Sequence, residues 1–139
     1  MTADLDERRS AVVREHMESE NVQDFDRAIA TFARPRYELM ATGDVIDGEA
    51  EVRDYYARTR SDFPDQRNEN SVLRSTEDGV VVEFDLLGTH ATLGTSFRSR
   101  MLAMFLFEDG ADRIVCERVY FDTASIRRQL LGHGSDAAW

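Results

Sequence analysis

"GVVVEFDLLGTHATLGTSFRSRMLAMFLFEDGADRIVCERVYFD", residues 79–122, decides the fold. Its apolar and β-branched residues fall into runs at 80–90, 96–107 and 113–122, parted by a turn at Gly94 and by Glu108-Asp109-Gly110. A further extended run at 67–76 joins the first through Glu77-Asp78-Gly79. Connections this short oblige neighbouring strands to pair antiparallel, so a four-stranded meander is expected.

Working outward, the residues before Pro64 are helical in period. Val12, Val13, His16, Met17 and Glu20 form one stripe, predicting a helix from Asp4 to about Glu20. Asn21 can cap a second helix, whose stripe Phe25, Ala28, Ile29, Phe32 and Ala33 runs until Pro35. "RYELMATGDVIDG", 36–48, predicts a hairpin turning at Gly43-Asp44. Asp47 can cap a third helix presenting Val52, Tyr55, Tyr56 and Thr59, and Thr123 a last one running to Leu131. Helices first and a long antiparallel sheet after them is an α+β pattern, a single domain over 1–139 with its core at about 10–132 and a polar tail at 133–139. A curved sheet with helices laid across it encloses a pocket unless large side chains fill it.

Composition narrows the partners. The formal charge is -10, from 27 acidic and 17 basic residues, which argues against nucleic acid or an anionic membrane and leaves small molecules or proteins. Every basic residue is arginine, so Schiff-base and lysine general-base chemistry are excluded. The lone Cys116 allows no internal disulfide and fits a reducing cytoplasm. The charged N-terminus reads as neither signal peptide nor anchor, and no apolar stretch is long enough to span a bilayer. No phosphate loop, nucleophile elbow or zinc motif occurs, so no cofactor or metal is expected.

The candidate chemistry is acid/base. His90 ends a strand whose alternation places it with Val82, Phe84 and Leu86, either as an acid or base at a pocket mouth or as a hydrogen-bonded structural residue. His16 lies in an apolar stripe with Glu20 one turn later, a spacing that suits an acid/base pair; it also suits a metal, but no third ligand follows from spacing. On "IVCERVYFD", Glu117, Val119 and Phe121 share one face, and Arg118, Tyr120 and Asp122 the other. Which face is buried is open, since a one-residue slip reverses it. Glu117 is either a pocket carboxylate or a salt-bridge partner of Arg98 or Arg100. Catalytic candidates are thus His16, His90, Glu117, Tyr120 and Asp122. Tyr55, Tyr56, Phe84, Met104 and Val119 are the candidate pocket lining.

The element order, with "FPD" at 63–65, "GTH" at 88–90, "FEDG" at 107–110, "IVCERVYFD" and the closing "RRQLLG", resembles the SnoaL-like ester and polyketide cyclases of the nuclear-transport-factor-2-like superfamily. The resemblance covers about residues 10–132. It implies a cone-shaped α+β barrel with a deep apolar pocket, a homodimer formed through the outer sheet face, and cofactor-free acid/base chemistry on a small apolar organic compound. It also implies a longer segment after Gly-Thr-His than this chain has, since "ATLG" runs directly into "TSFRSR". The family's acid and histidine would fall near 119 and 104, where this chain has Val119 and Met104. Glu117, Asp122, His16 and His90 remain as replacements, and a non-catalytic ligand-binding or dimerisation module is the alternative function.

Overall fold

The computed structural model describes residues 2–132; the polar tail at 133–139 lies outside them. In chain order the elements are α1 (Thr2–Asn21), α2 (Phe25–Ala30), β1 (Arg36–Leu39), β2 (Asp44–Asp47), α3 (Glu49–Asp62), β3 (Arg67–Thr76), β4 (Gly79–Thr89), β5 (Ser96–Phe107), β6 (Ile114–Tyr120) and α4 (Thr123–Leu131). This is the expected α+β arrangement, with the meander strands where hydrophobic patterning put them. The caps differ. Asn21 closes α1, and its side-chain amide bridges the backbone of Asn68 on β3. Asp24 is the residue whose carboxylate caps α2, accepting from the Arg27 amide. α2 then stops at Ala30, because Phe32 has left the helix to pair with Ile114. Gly48, at φ 91°, begins α3 while Asp47 is drawn into an ion pair with Arg34, and Asp122 rather than Thr123 caps α4.

The strands form one curved, open sheet in the order β2-β1-β6-β5-β4-β3. The pairs β3·β4, β4·β5 and β5·β6 are antiparallel, as the short turns require. β1 instead runs parallel to β6, setting Tyr37 opposite Glu117 and Leu39 opposite Val119. Along β5, Phe97, Ser99, Met101, Ala103, Phe105 and Phe107 are buried while Leu102, Met104 and Leu106 turn to the outer face, a strict period of two. The inward residues of β4, β5 and β6 pack on Val13 and Met17 of α1, on Ala28 and Ile29 of α2, and on Val52 and Tyr56 of α3.

α1 is fastened at its N-terminal half by Arg9, a residue without apparent role in the sequence. It is 3% exposed, donates to the carbonyls of Ala111 and Glu108 at 2.8 and 2.9 Å, and lies 5.0 Å over the Phe107 ring. A buried guanidinium is tolerable only when its donors are met, and here the β5–β6 turn meets them. No helix among the described residues is long and apolar enough to cross a membrane. Replacing Arg9 by Met, which keeps the aliphatic stem but strands both carbonyls, is expected to cost roughly 2 kcal/mol in urea unfolding, with β-sheet content unchanged.

Candidate functional site

His16 has no exposed surface, so both ring nitrogens must be satisfied by protein. Nδ1 lies 3.0 Å from Thr31 Oγ1, whose own proton goes to the Ala28 carbonyl at 2.5 Å. The imidazole is therefore the donor in that contact and carries a proton on Nδ1. Nε2 faces the opposite way, 3.0 Å from Glu117 Oε1, 3.6 Å from Glu20 Oε2 and 3.2 Å from the Tyr37 hydroxyl. Tyr37 donates to Glu20 at 2.9 Å, and its hydroxyl is 2.5 Å from that of Tyr56. With the Tyr37 proton committed to Glu20, the Tyr56 hydroxyl is the donor between the two tyrosines. Phe32 and Phe105 enclose the imidazole edge-on, each ring centre 5.3 Å away.

The electrostatics follow from burial beside two acids. Burial alone would lower the His16 pKa, but the charges of Glu20 and Glu117 and the contact with Glu117 outweigh it and leave it raised. Burial raises the Glu117 carboxyl, and the nearby imidazole offsets only part of that. Burial likewise pushes the Tyr37 and Tyr55 hydroxyls up, keeping them protonated as donors. Glu117 Oε1 is buried and, although close to His16, lies without an aligned hydrogen-bond donor.

This cluster lies at the inner end of a pocket. A cavity of about 60 Å³ is bounded by Glu20, Tyr37, Tyr55, Phe84, Glu117 and Val119 among others. Adjoining it through Tyr55, Gln66, Leu86, Met101 and Val119 is a larger space of about 220 Å³. The second space is walled by Leu39, Phe63, Phe97, Phe121 and Ile126, so an apolar space adjoins the one that Glu20 and Glu117 border. Tyr55 borders both spaces, and its hydroxyl makes no hydrogen bond among the described residues.

Of the sequence candidates, the fold brings His16, Glu117, Tyr55, Phe84 and Val119 together at this pocket. Tyr56 stands behind Tyr37, stacked on Phe25 at 4.5 Å, and reaches the cluster only through its hydroxyl. The remaining positions are corrections. Tyr120 alternates with Glu117 and so points out of the cone, 40% exposed beside Leu102. Asp122 has left the sheet and caps α4 by accepting from the Ser125 amide. Met104 faces outward by the same alternation that buries Ala103 and Phe105, so it lines no pocket. His90 sits outside the cavity in the 90–95 turn: its Nδ1 accepts from the amides of Thr92 and Leu93, and its ring meets Phe63 edge-on. Arg98 and Arg100 pair with Asp85 instead of Glu117.

Tyr37 and Thr31 were the functional neighbours that spacing did not single out, whereas Glu20 stands beside His16 as its spacing on α1 implied. Alternation in "RYEL" marks Tyr37 as facing one way with Leu39. Nothing local signals that β1 would lie parallel to β6 and bring Tyr37 against Glu117.

Helices laid against one curved, open sheet make up the ketosteroid-isomerase-like and nuclear-transport-factor-2-like fold. Within it, the SnoaL-like domain profile matches residues 13–116, and the chain belongs to that family. No curated protein matches the sequence. Solved structures share the fold. A candidate polyketide cyclase from Xanthomonas campestris pv. campestris superposes with TM-score 0.80 at 20% identity, covering 91% of this chain and 98% of that one. A protein of ketosteroid isomerase-like fold from Catenulispora acidiphila, solved with trimethylamine, gives TM-score 0.77 at 19% identity, covering 92% and 95%. A phenazine biosynthesis-related protein from Pseudomonas aeruginosa gives 0.77 at 20% identity, covering 93% and 88%.

Because the Tyr37 hydroxyl serves His16, Glu20 and Tyr56 at once, Tyr37→Phe should destabilise the fold by about 1–3 kcal/mol, and Tyr56→Phe, which removes one donor, by roughly 1 kcal/mol. Chemical denaturation of the two variants side by side checks the ranking, and equal losses would contradict the shared role.

Proposed function

We propose that the chain binds a small apolar carbonyl compound in its cone and moves a proton on it without a cofactor. The observation that carries this reading is Glu117, a buried carboxylate with a raised pKa and an unmet oxygen, placed where an apolar pocket ends. The apolar body of the substrate occupies the mouth between Phe63, Phe97 and Ile126, with its carbonyl at Tyr55. Glu117 takes the proton from the carbon beside the carbonyl, and the Tyr55 hydroxyl donates to the oxygen as it becomes negative. The proton returns at a different carbon in an isomerisation, or the enolate carbon attacks a second carbonyl in a cyclisation. His16, 3.0 Å away with a raised pKa, balances the charge of Glu117. A non-catalytic ligand-binding module of the same fold is favoured by one feature, the engagement of both His16 nitrogens inside the protein.

Glu117→Gln separates the two readings. It should cut turnover at least ~100-fold, the scale of a lost general base, while ligand affinity persists. Unchanged turnover rejects Glu117 as the base; ligand binding with no turnover by the unmodified chain supports the binding module.

A homodimer in the cytoplasm completes the reading. Its interface would be the outer sheet face, where Leu102 and Met104 lie in neighbouring cross-strand rows with Tyr120 and Val45, the latter two 40% and 49% exposed. Light scattering at micromolar concentration should return twice the chain mass, and Leu102→Glu should return the monomer; a monomer for the unmodified chain refutes the dimer.

A further inference from the structure

The side chains gathered at His16 Nε2 are also a ligand set. His16 Nε2, a Glu20 oxygen and a Glu117 oxygen all lie within 4.8 Å of one another. Nε2 is 3.0 Å from Glu117 and 3.6 Å from Glu20, and the Tyr37 hydroxyl forms a fourth corner 3.2 Å from Nε2 and 2.9 Å from Glu20. A tetrahedral zinc ion with bonds of about 2.0–2.2 Å spaces its ligand atoms by roughly 3.3–3.6 Å, which the longest of these edges meets and the others fall short of by a few tenths of an ångström. Glu20, whose side chain is 17% exposed, lines the same cavity as Glu117.

Two further features point to an ion. Thr31 spends its proton on Ala28 and holds Nδ1–H, fixing the ring with Nε2 toward the carboxylates, as outer hydrogen bonds fix metal-binding imidazoles. Independently, Glu117 Oε1 is buried and borders the cavity without an aligned donor, a costly state that a cation would relieve.

We infer that His16, Glu20 and Glu117 form a binding site for a divalent first-row metal ion, with zinc the best match. One neutral imidazole and two carboxylates give a site of net zero charge around such an ion. The imidazole and the low ligand count suit zinc over calcium or magnesium. The ion binds at the unprotonated Nε2, and the cavity beside it admits a water or a ligand oxygen as a further donor. Metal-loaded Glu117 is no longer a free base, so zinc and the proposed proton transfer exclude one another. The inference goes beyond that reaction and does not depend on it.

The test is equilibrium dialysis of the chelator-stripped full-length chain against zinc chloride, with cobalt(II) as a spectroscopic stand-in. About one zinc per chain should bind, cobalt should show the intense visible bands of tetrahedral coordination, and His16→Gln, Glu20→Gln and Glu117→Gln should each weaken binding at least ~10-fold. His90→Gln should leave it unchanged. Absence of saturable binding, zinc affinity unaltered in Glu20→Gln, or loss of binding in His90→Gln overturns the site. If His16→Gln or Glu117→Gln fails to fold by circular dichroism, Glu20→Gln decides alone, since its side chain is the most exposed of the three. Zinc binding is read without substrate, so its failure leaves the proton-transfer reading standing, and the reverse holds.

Discussion

A fully buried imidazole is the constraint around which this protein is arranged. His16 must satisfy two nitrogens without water, and in doing so it draws one group from each of several elements. Thr31 comes from the end of α2, Tyr37 from β1, Glu117 from β6, and Tyr56 of α3 follows through Tyr37. Glu20, one turn along α1, completes the ring of partners. The helices and the sheet are therefore joined by a polar knot as well as by apolar packing. Such a knot is stabilising only when complete, because each unmet member costs more than a met one contributes.

The knot also sets the character of the pocket. Were the inner end apolar, the cone would be a hydrophobic slot. With Glu117 and Tyr37 at its inner end and Tyr55 where its two spaces meet, it is a slot that ends in acids and neutral hydroxyls. Burial supplies the chemistry: the same loss of water that raises the Glu117 carboxyl also keeps the tyrosines protonated. Three of the five acids between Glu108 and Asp122 show how differently the fold uses such residues. Glu117 faces in, Asp122 caps a helix, and Glu108 lends only its carbonyl to Arg9.

Much of the architecture was legible in the chain. The meander could be placed from alternation and turn dipeptides, and the helices from their apolar period, because both signals depend on residues within a few positions of each other. Helix caps were less legible: Asn21, Asp47 and Thr123 each had a neighbour able to compete, and tertiary contacts chose Asp24, Gly48 and Asp122. His90 looked like chemistry and is bracing for the 90–95 turn, since its Nδ1 is spent on two backbone amides. Met104 matched a family position by count, yet its side chain faces outward.

By itself, the sequence determined the α+β class, the strand spans, the pairing of His16 with Glu20 on one helix face, and the grouping of Glu117 with Val119 against Tyr120. Periodicity encodes those facts locally. Which side of β6 would be buried, and that Tyr37 would meet Glu117, were decided only in three dimensions. A period of two specifies opposite faces but not which one the helices cover, and the β1–β6 pairing joins residues as distant as Glu38 and Arg118, 80 positions apart. The site exists because that long-range pairing and the burial of α1 coincide at one ring.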